Sequence, residues 1–290
     1  MFKVFAFLKR NPNLTHDEYR AGHVGFHCCH SRRLKGIRGY LVNIYANAEL
    51  EAALGSLYGD ITINEPAGFT EHWDGFPEVY FDDQQAWTEA ATPEPNRALA
   101  AGLVEDPDWT LADGPDLFQR APGSDTEFLS HHLHMLEQII VPVERAEYKH
   151  AKLLQFFRRH PALTESEFSE LLHAEYVPLT AHLRQLQGYI LNFRDPDLEA
   201  AMRDFYPPES WGFSEPGRAR RREFCALWDG AAELHFASLS AFVAARSDPL
   251  VHQQLQALET RLFDSLWYVE VDENLIVLPN RDPAPDFYFR

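Results

Sequence analysis

Apolar and polar positions along this chain change period in a fixed order, and the order occurs twice. Phe2-Lys3-Val4-Phe5-Ala6-Phe7 reads as a strand, stopped by a turn at Pro12. Thr15-His16-Asp17-Glu18 is a capping box, in which the Thr hydroxyl and the Glu carboxylate each satisfy an orphan backbone donor, so a helix is predicted from there to about Leu34. Gly39 to Asn43 opens a second strand. Asn47 to Thr70 is a long polar excursion of the kind that builds a lid or pocket wall. A third strand runs from Trp73-Asp74-Gly75 to Phe81, an alanine-rich helix from Gln84 to Ala101, and a closing strand near Trp109 to Phe118.

From Lys152 the succession returns. A strand reaches Arg158, a turn holds Pro161, and Thr164 to Glu167 repeats the capping box before a helix to about Leu183. Gly188 to Asn192, the excursion Asp195 to Arg222, the strand from Trp228-Asp229-Gly230 to Phe236, the helix Ser238 to Leu258 and the strand Trp267 to Val277 complete it. At one constant offset Lys3, Phe7, Gly39, Tyr40 and Asn43 meet Lys152, Phe156, Gly188, Tyr189 and Asn192; a second block matches Glu78, Phe81 and Ala86 with Glu233, Phe236 and Ala241. A repeat this long means duplicated domains.

Strand, helix, two strands, helix, strand is the order of the ferredoxin-like unit. Its sheet carries helices on one face only, so the other face needs a partner. The expected fold class is therefore α+β: two tandem ferredoxin-like domains forming an intramolecular, pseudo-dimeric α+β barrel. The expected divisions are an active half over 1–122, a connecting segment over 123–146 and a structural half over 147–290. In the connecting segment, His131, His132 and His134 precede Ile139, Ile140 and Val141, read as a connecting helix and a short strand.

Bulk properties narrow the function. With 290 residues and 45% hydrophobic content the chain can build two cores. A net charge of -18 argues against nucleic acid and against an anionic membrane surface. The one basic run, Arg218, Arg220, Arg221 and Arg222, reads as a solvated loop face or as a holder for a substrate carboxylate. Three cysteines, two of them adjacent at Cys28 and Cys29, make no disulfide framework, and the opening strand does not read as a signal peptide. A cytoplasmic location is the expectation.

The pattern Thr-x-x-Glu-Tyr before a helix bearing His27, then Gly39-Tyr40-x-x-Asn43, then an Asp-Gly strand, resembles the EthD family. The resemblance covers both copies. It implies the dimeric α+β barrel fold and activities such as those of cofactor-independent dehydratases, decarboxylases and cyclases of aromatic polyketide pathways. It also implies a histidine at His27, with Cys29 where the family places proline; the second copy has Tyr176 there and keeps Pro178.

Helical spacing puts Tyr19, His23, His27, His30 and Leu34 on one face, whose twin is Phe168, Leu172, Tyr176, Leu179 and Leu183. Imidazoles stand where the sister helix has mostly hydrocarbon, and Gly22 replaces Leu171. An unfilled gap would cost about 2–5 kcal/mol per truncated leucine, so room for a ligand is expected. A similar exchange is expected on the third strand, where Glu71 and His72 stand in the places of Ala226 and Leu227.

Histidine titrates near neutrality, which suits acid and base work. The leading expectation is a cofactor-independent lyase acting on a hydrophobic, aromatic small molecule. His27 is the general base, His23 or His30 its acid partner, and Tyr19, Phe26, Tyr40 and His72 are substrate contacts. No cofactor and no metal are expected, because a third imidazole seven residues on rarely reaches an ion held by an i, i+4 pair. The alternatives are an oxidoreductase or monooxygenase of the same barrel type, cofactor-free or dependent on haem or metal, and a non-enzymatic small-molecule binder. A hydrophobic small molecule is the expected partner, with at most a second copy of the chain beside it.

Overall fold

The structure is a computed structural model that describes residues 1–32, 34, 36–46, 49–91, 117–124, 127–145, 148–203 and 205–279. Eight strands form a closed antiparallel barrel: β1 (Phe2–Leu8), β2 (Gly39–Tyr45), β3 (Gly75–Phe81), β4 (Ser130–Val141), β5 (Ala151–Arg159), β6 (Leu186–Arg194), β7 (Gly230–Phe236) and β8 (Phe263–Val277). Their order is β1-β3-β2-β8-β5-β7-β6-β4. Read from β4, the sequence β4-β1-β3-β2 is followed by β8-β5-β7-β6, the same arrangement twice. Register repeats as well: Lys3 lies opposite Tyr80 and Met135, and Lys152 opposite His235 and Val271.

Strand β4 corrects the sequence reading of 123–146. The tract is no connecting helix; it is the strand that does for the first half what β8 does for the second. Leu133 and Met135 alternate inward with period two, but His131, His132 and His134 around them hide the alternation. The closing strand expected near Trp109 falls on residues outside those described, apart from Leu117 and Phe118, and Phe118 pairs as an isolated bridge with Arg10.

Three further elements differ from expectation. The excursion Asn47 to Thr70 contains short helices at Glu49–Leu54 and Ser56–Ile61, and Asp195 to Arg222 runs into a helix, Glu215–Ala226. The second alanine-rich helix is two, Leu239–Arg246 and Pro249–Leu262, because Pro249 has no N–H to continue a helix while Asp248 accepts from the amides of Leu250 and Val251. Glu71 and His72 lie in a 3-10 turn, Phe69–His72, ahead of β3.

Both capping boxes form as the sequence implies. The helices they start are interrupted identically. His16–Gly22 passes through a π turn, His23–His27, into Cys28–Ser31, and Glu165–Leu171 passes through Leu172–Tyr176 into Val177–Ala181.

Side chains divide into three layers. Helices of each half pack on the outer barrel face, around Tyr19, Val42 and Val79 in one half and Phe168, Leu191 and Leu234 in the other. The interior holds Phe5, Phe7, Phe76, Leu154, Phe156 and Trp267, with Phe69, Trp73, Phe224 and Trp228 crowding one end. Each large apolar side chain so buried contributes about 1.5–3 kcal/mol. Among the described residues no helix is long and apolar enough to cross a membrane.

Candidate active site

His23 is completely buried. Its Nδ1 lies 3.1 Å from the Tyr19 hydroxyl, while Nε2 is buried with no hydrogen-bond partner among the described residues. The ring meets Phe118 edge-on at 5.1 Å and His27 at 5.3 Å between centroids. Burial, and secondarily His27, pulls the His23 pKa well below that of an ordinary imidazole. The ring is therefore neutral at pH 7, and in the tautomer whose Nδ1–H donates to the Tyr19 hydroxyl, Nε2 is a bare acceptor. Tyr19, also fully buried, is pushed the other way by burial and then by the charge of Asp74.

The other expected residues are distributed less tightly. His27 is half-buried, its Nε2 2.9 Å from Ser31 Oγ and its ring against Phe118. Tyr40 is buried and accepts a weak bond from the Cys28 thiol at 3.5 Å. Phe26 is half exposed, and the side chain of His30 lies outside those described. His72 belongs to another layer, where its ring packs on Phe224 and His131 and burial, helped by Arg220, lowers its pKa to about 4. Tyr19, His23 and His27 are thus brought together; His72 is not brought to them.

Two details of the expected site are corrected. A Cβ added at Gly22 would sit 2.1 Å from Leu117 Cδ2, so the room expected beside Gly22 is occupied by Leu117. Nor is the twin face plain hydrocarbon. Tyr176, at the place of His27, accepts from Gln155 Nε2 at 2.7 Å and donates to Glu259 at 3.1 Å, and Arg246 holds that carboxylate at 3.0 Å.

The basic run is also not a loop face. It lies on the helix Glu215–Ala226, where Arg218 and Arg221 bind Glu199, Arg222 binds Glu215, and Arg220 donates to His131 Nε2 at 2.6 Å. In the histidine tract of β4, His134 bonds Asp195 at 2.7 Å, and burial lowers His132 to about 3. Successive strand residues point to opposite faces, which separates His131 from His132.

Sequence reasoning passed over a second polar constellation inside the barrel. Lys3 contacts Glu78, Glu137 and Glu233, and Lys152 contacts Glu78, Glu233 and Glu273. Asn43 donates to Glu78 at 2.6 Å and Asn192 to Glu233 at 2.8 Å. Burial alone would raise Glu233, but Lys152 and Lys3 overcome it and hold the carboxyl well below its usual value. The signal was present: these are the polar members of the repeat, set at inward positions of otherwise apolar strands. Glu233, His235 and Glu273 place possible ligand atoms within 4.8 Å of one another, the one such group among the described residues. Lys152 already bridges both carboxylates and Arg145 holds Glu273, so a metal ion would have to displace fixed cations.

The EthD domain model matches residues 160–265, within the second half of the chain. No curated protein matches the chain. Among solved structures, a candidate monooxygenase from Fusobacterium nucleatum subsp. nucleatum aligns at 8% identity over 97% of this chain and 94% of its own, with a TM-score of 0.48. A candidate monooxygenase from Lactobacillus acidophilus aligns at 10% identity over 96% of each chain, TM-score 0.46. An anthrone oxidase-like protein aligns at 8% over 97% of this chain and 95% of its own, TM-score 0.45. Likeness at this level carries nothing about chemistry.

Proposed function

From the EthD domain in residues 160–265 as premise, we propose that the chain is two ferredoxin-like units fused into one α+β barrel, and that it is an oxidoreductase of the cofactor-free monooxygenase kind, acting on a hydrophobic aromatic small molecule. The observation that carries the chemistry is the buried, neutral His23 ring with an unpartnered Nε2. His23 is the general base, and Tyr19 positions it through Nδ1. His27 and His30 follow on the same helix, and we assign Tyr40 and Phe26 as substrate contacts. His72 has no part in this arrangement.

A base is all that such an oxidation asks of the protein. Nε2 takes a proton from an acidic C–H of the substrate, and the resulting carbanion supplies the electrons to dioxygen, forming a C–O bond. Loss of the second hydrogen from that carbon breaks the O–O bond and releases water, so a CH2 group and O2 become a C=O group and H2O. A lyase expelling hydroxide needs in addition an acid held protonated beside the base. Tyr19 keeps its proton, but a hydroxyl raised well above its ordinary range is too weak an acid to give that proton up, and the neutral His23 ring does not supply one either.

Anthrone, named in one of the compared structures, is the probe. Oxygen uptake with appearance of the quinone spectrum is expected from the intact chain, and His23→Ala should lower it by about 10²–10⁴-fold, the usual size of a base contribution. Undiminished uptake by the variant, or product formed without oxygen, removes the proposal.

A further inference from the structure

The barrel end away from the aromatic plug opens into a cavity of about 390 Å³, with apolar walls from Leu41, Ile139 and Ile190 and polar groups from Glu137, Arg145 and Glu233. That size and mixture suit a small organic ligand. Charge says which kind. Among the described residues, the carboxylates Glu78, Glu137, Glu233 and Glu273 meet three permanent cations, Lys3, Lys152 and Arg145, one too few, while the His235 ring stands 3.9 Å from Glu233 and pairs with no oxygen of Glu137. Both lysines already touch three carboxylates each and have no proton to spare.

The deficit falls at Glu137. Register makes Glu137 and Glu273 counterparts, since Met135 lies opposite Lys3 as Val271 lies opposite Lys152. Glu273 is held by both Lys152 and Arg145. Glu137 is held by Lys3 alone, through Oε2 at 2.8 Å, although its side chain is only 10% exposed. Its Oε1 has no partner among the described residues.

We propose that this cavity is a binding site, separate from His23, for a small hydrophobic molecule bearing a primary ammonium group. The ammonium donates to Glu137 Oε1 and supplies the missing positive charge; the hydrocarbon lies along Leu41, Ile139 and Ile190. A carboxylate would add to the excess negative charge. A divalent metal would overshoot it, and its best ligands are already bound by Lys152 and Arg145.

The test is calorimetric titration of the full chain at pH 8 with hexylammonium, hexanol and hexanoate in turn. Hexylammonium should bind at least about tenfold more tightly than hexanol, a margin of about 1.4 kcal/mol, and hexanoate should not bind. Glu137→Gln should erase the margin over hexanol. Should that variant fail to fold, Ile190→Trp fills the cavity without touching an ion pair and should abolish hexylammonium binding. Equal affinity for the alcohol and the ammonium in the parent chain overturns the site, as does binding that survives both substitutions. Saturable binding of manganese(II) alone that is lost in Glu137→Gln overturns it in favour of a metal. Arg281 stands as far past Glu273 as Arg145 stands past Glu137, and lies outside the described residues. Unchanged affinity in Arg281→Ala supports the proposal; a tenfold gain overturns it, by showing that the chain's own guanidinium fills the place.

Discussion

Two helices begin with the same capping box and pass through the same π turn, yet they bury opposite kinds of polar group. In the second half Tyr176 reaches Gln155 and Glu259, and Glu259 reaches Arg246, so that the Tyr176 hydroxyl and the Glu259 carboxylate both find partners. In the first half His23 leaves Nε2 without one. An unsatisfied buried acceptor costs about 1–3 kcal/mol. The twin shows that this backbone can bury polar groups with their hydrogen bonds made, so the open valence of His23 is a local property of the side chains and not a requirement of the fold. A π turn is often found at functional sites. Here both helices have one, so the turn by itself does not set the two halves apart.

The comparison breaks most sharply if the satisfied network is severed. Arg246→Ala leaves Glu259 buried and uncompensated, and denaturant unfolding should show a loss of about 3–5 kcal/mol. A loss below 1 kcal/mol would mean that the second half does not depend on its network. The next effect is smaller. Gly22→Ala forces Leu117 to shift, with an expected cost of about 1–3 kcal/mol. Pairing it with Leu117→Ala should recover part of that cost, and a double variant no better than the sum of the two singles would show that Leu117 does not set the limit.

The smallest effect is in pH dependence. The folded-state pKa of His23 lies below the unfolded value, so the unfolded chain binds the extra proton first. Stability from this group is complete above about pH 6.5 and is lost as pH falls from there toward the depressed folded value. His72, His131 and His132 act in the same direction. His23→Leu, which restores the apolar character of Leu172, should raise the melting temperature slightly and flatten its decline between pH 7 and 5. An unchanged slope would place the His23 ring in water.

Much of this architecture could be read from sequence because it depends on local rules. The capping boxes are stated by Thr15 with Glu18 and Thr164 with Glu167, and the strands by alternation. Strand β4 was not legible, because His131, His132 and His134 interrupt a pattern whose inward members are few. Leu117 could not be foreseen beside Gly22, since the contact joins positions far apart in the chain. The Tyr19, His23 and His27 grouping was legible from helical spacing; His72 was misassigned because a 3-10 turn replaces the strand on which it was placed. The ion network was visible as Lys3, Asn43, Glu78 and their repeats, but nothing local in the chain says that these side chains meet inside one barrel.

The barrel closes where β2 bonds to β8 and β6 to β4, so both seams join one half of the chain to the other. Cutting between the halves would bare four adhesive margins at once, and each fragment would meet its complement only by diffusion, in competition with copies of itself. Continuous synthesis avoids that contest: the complementary sheet arrives on the same polypeptide, at a local concentration that dilution of the cell contents cannot lower.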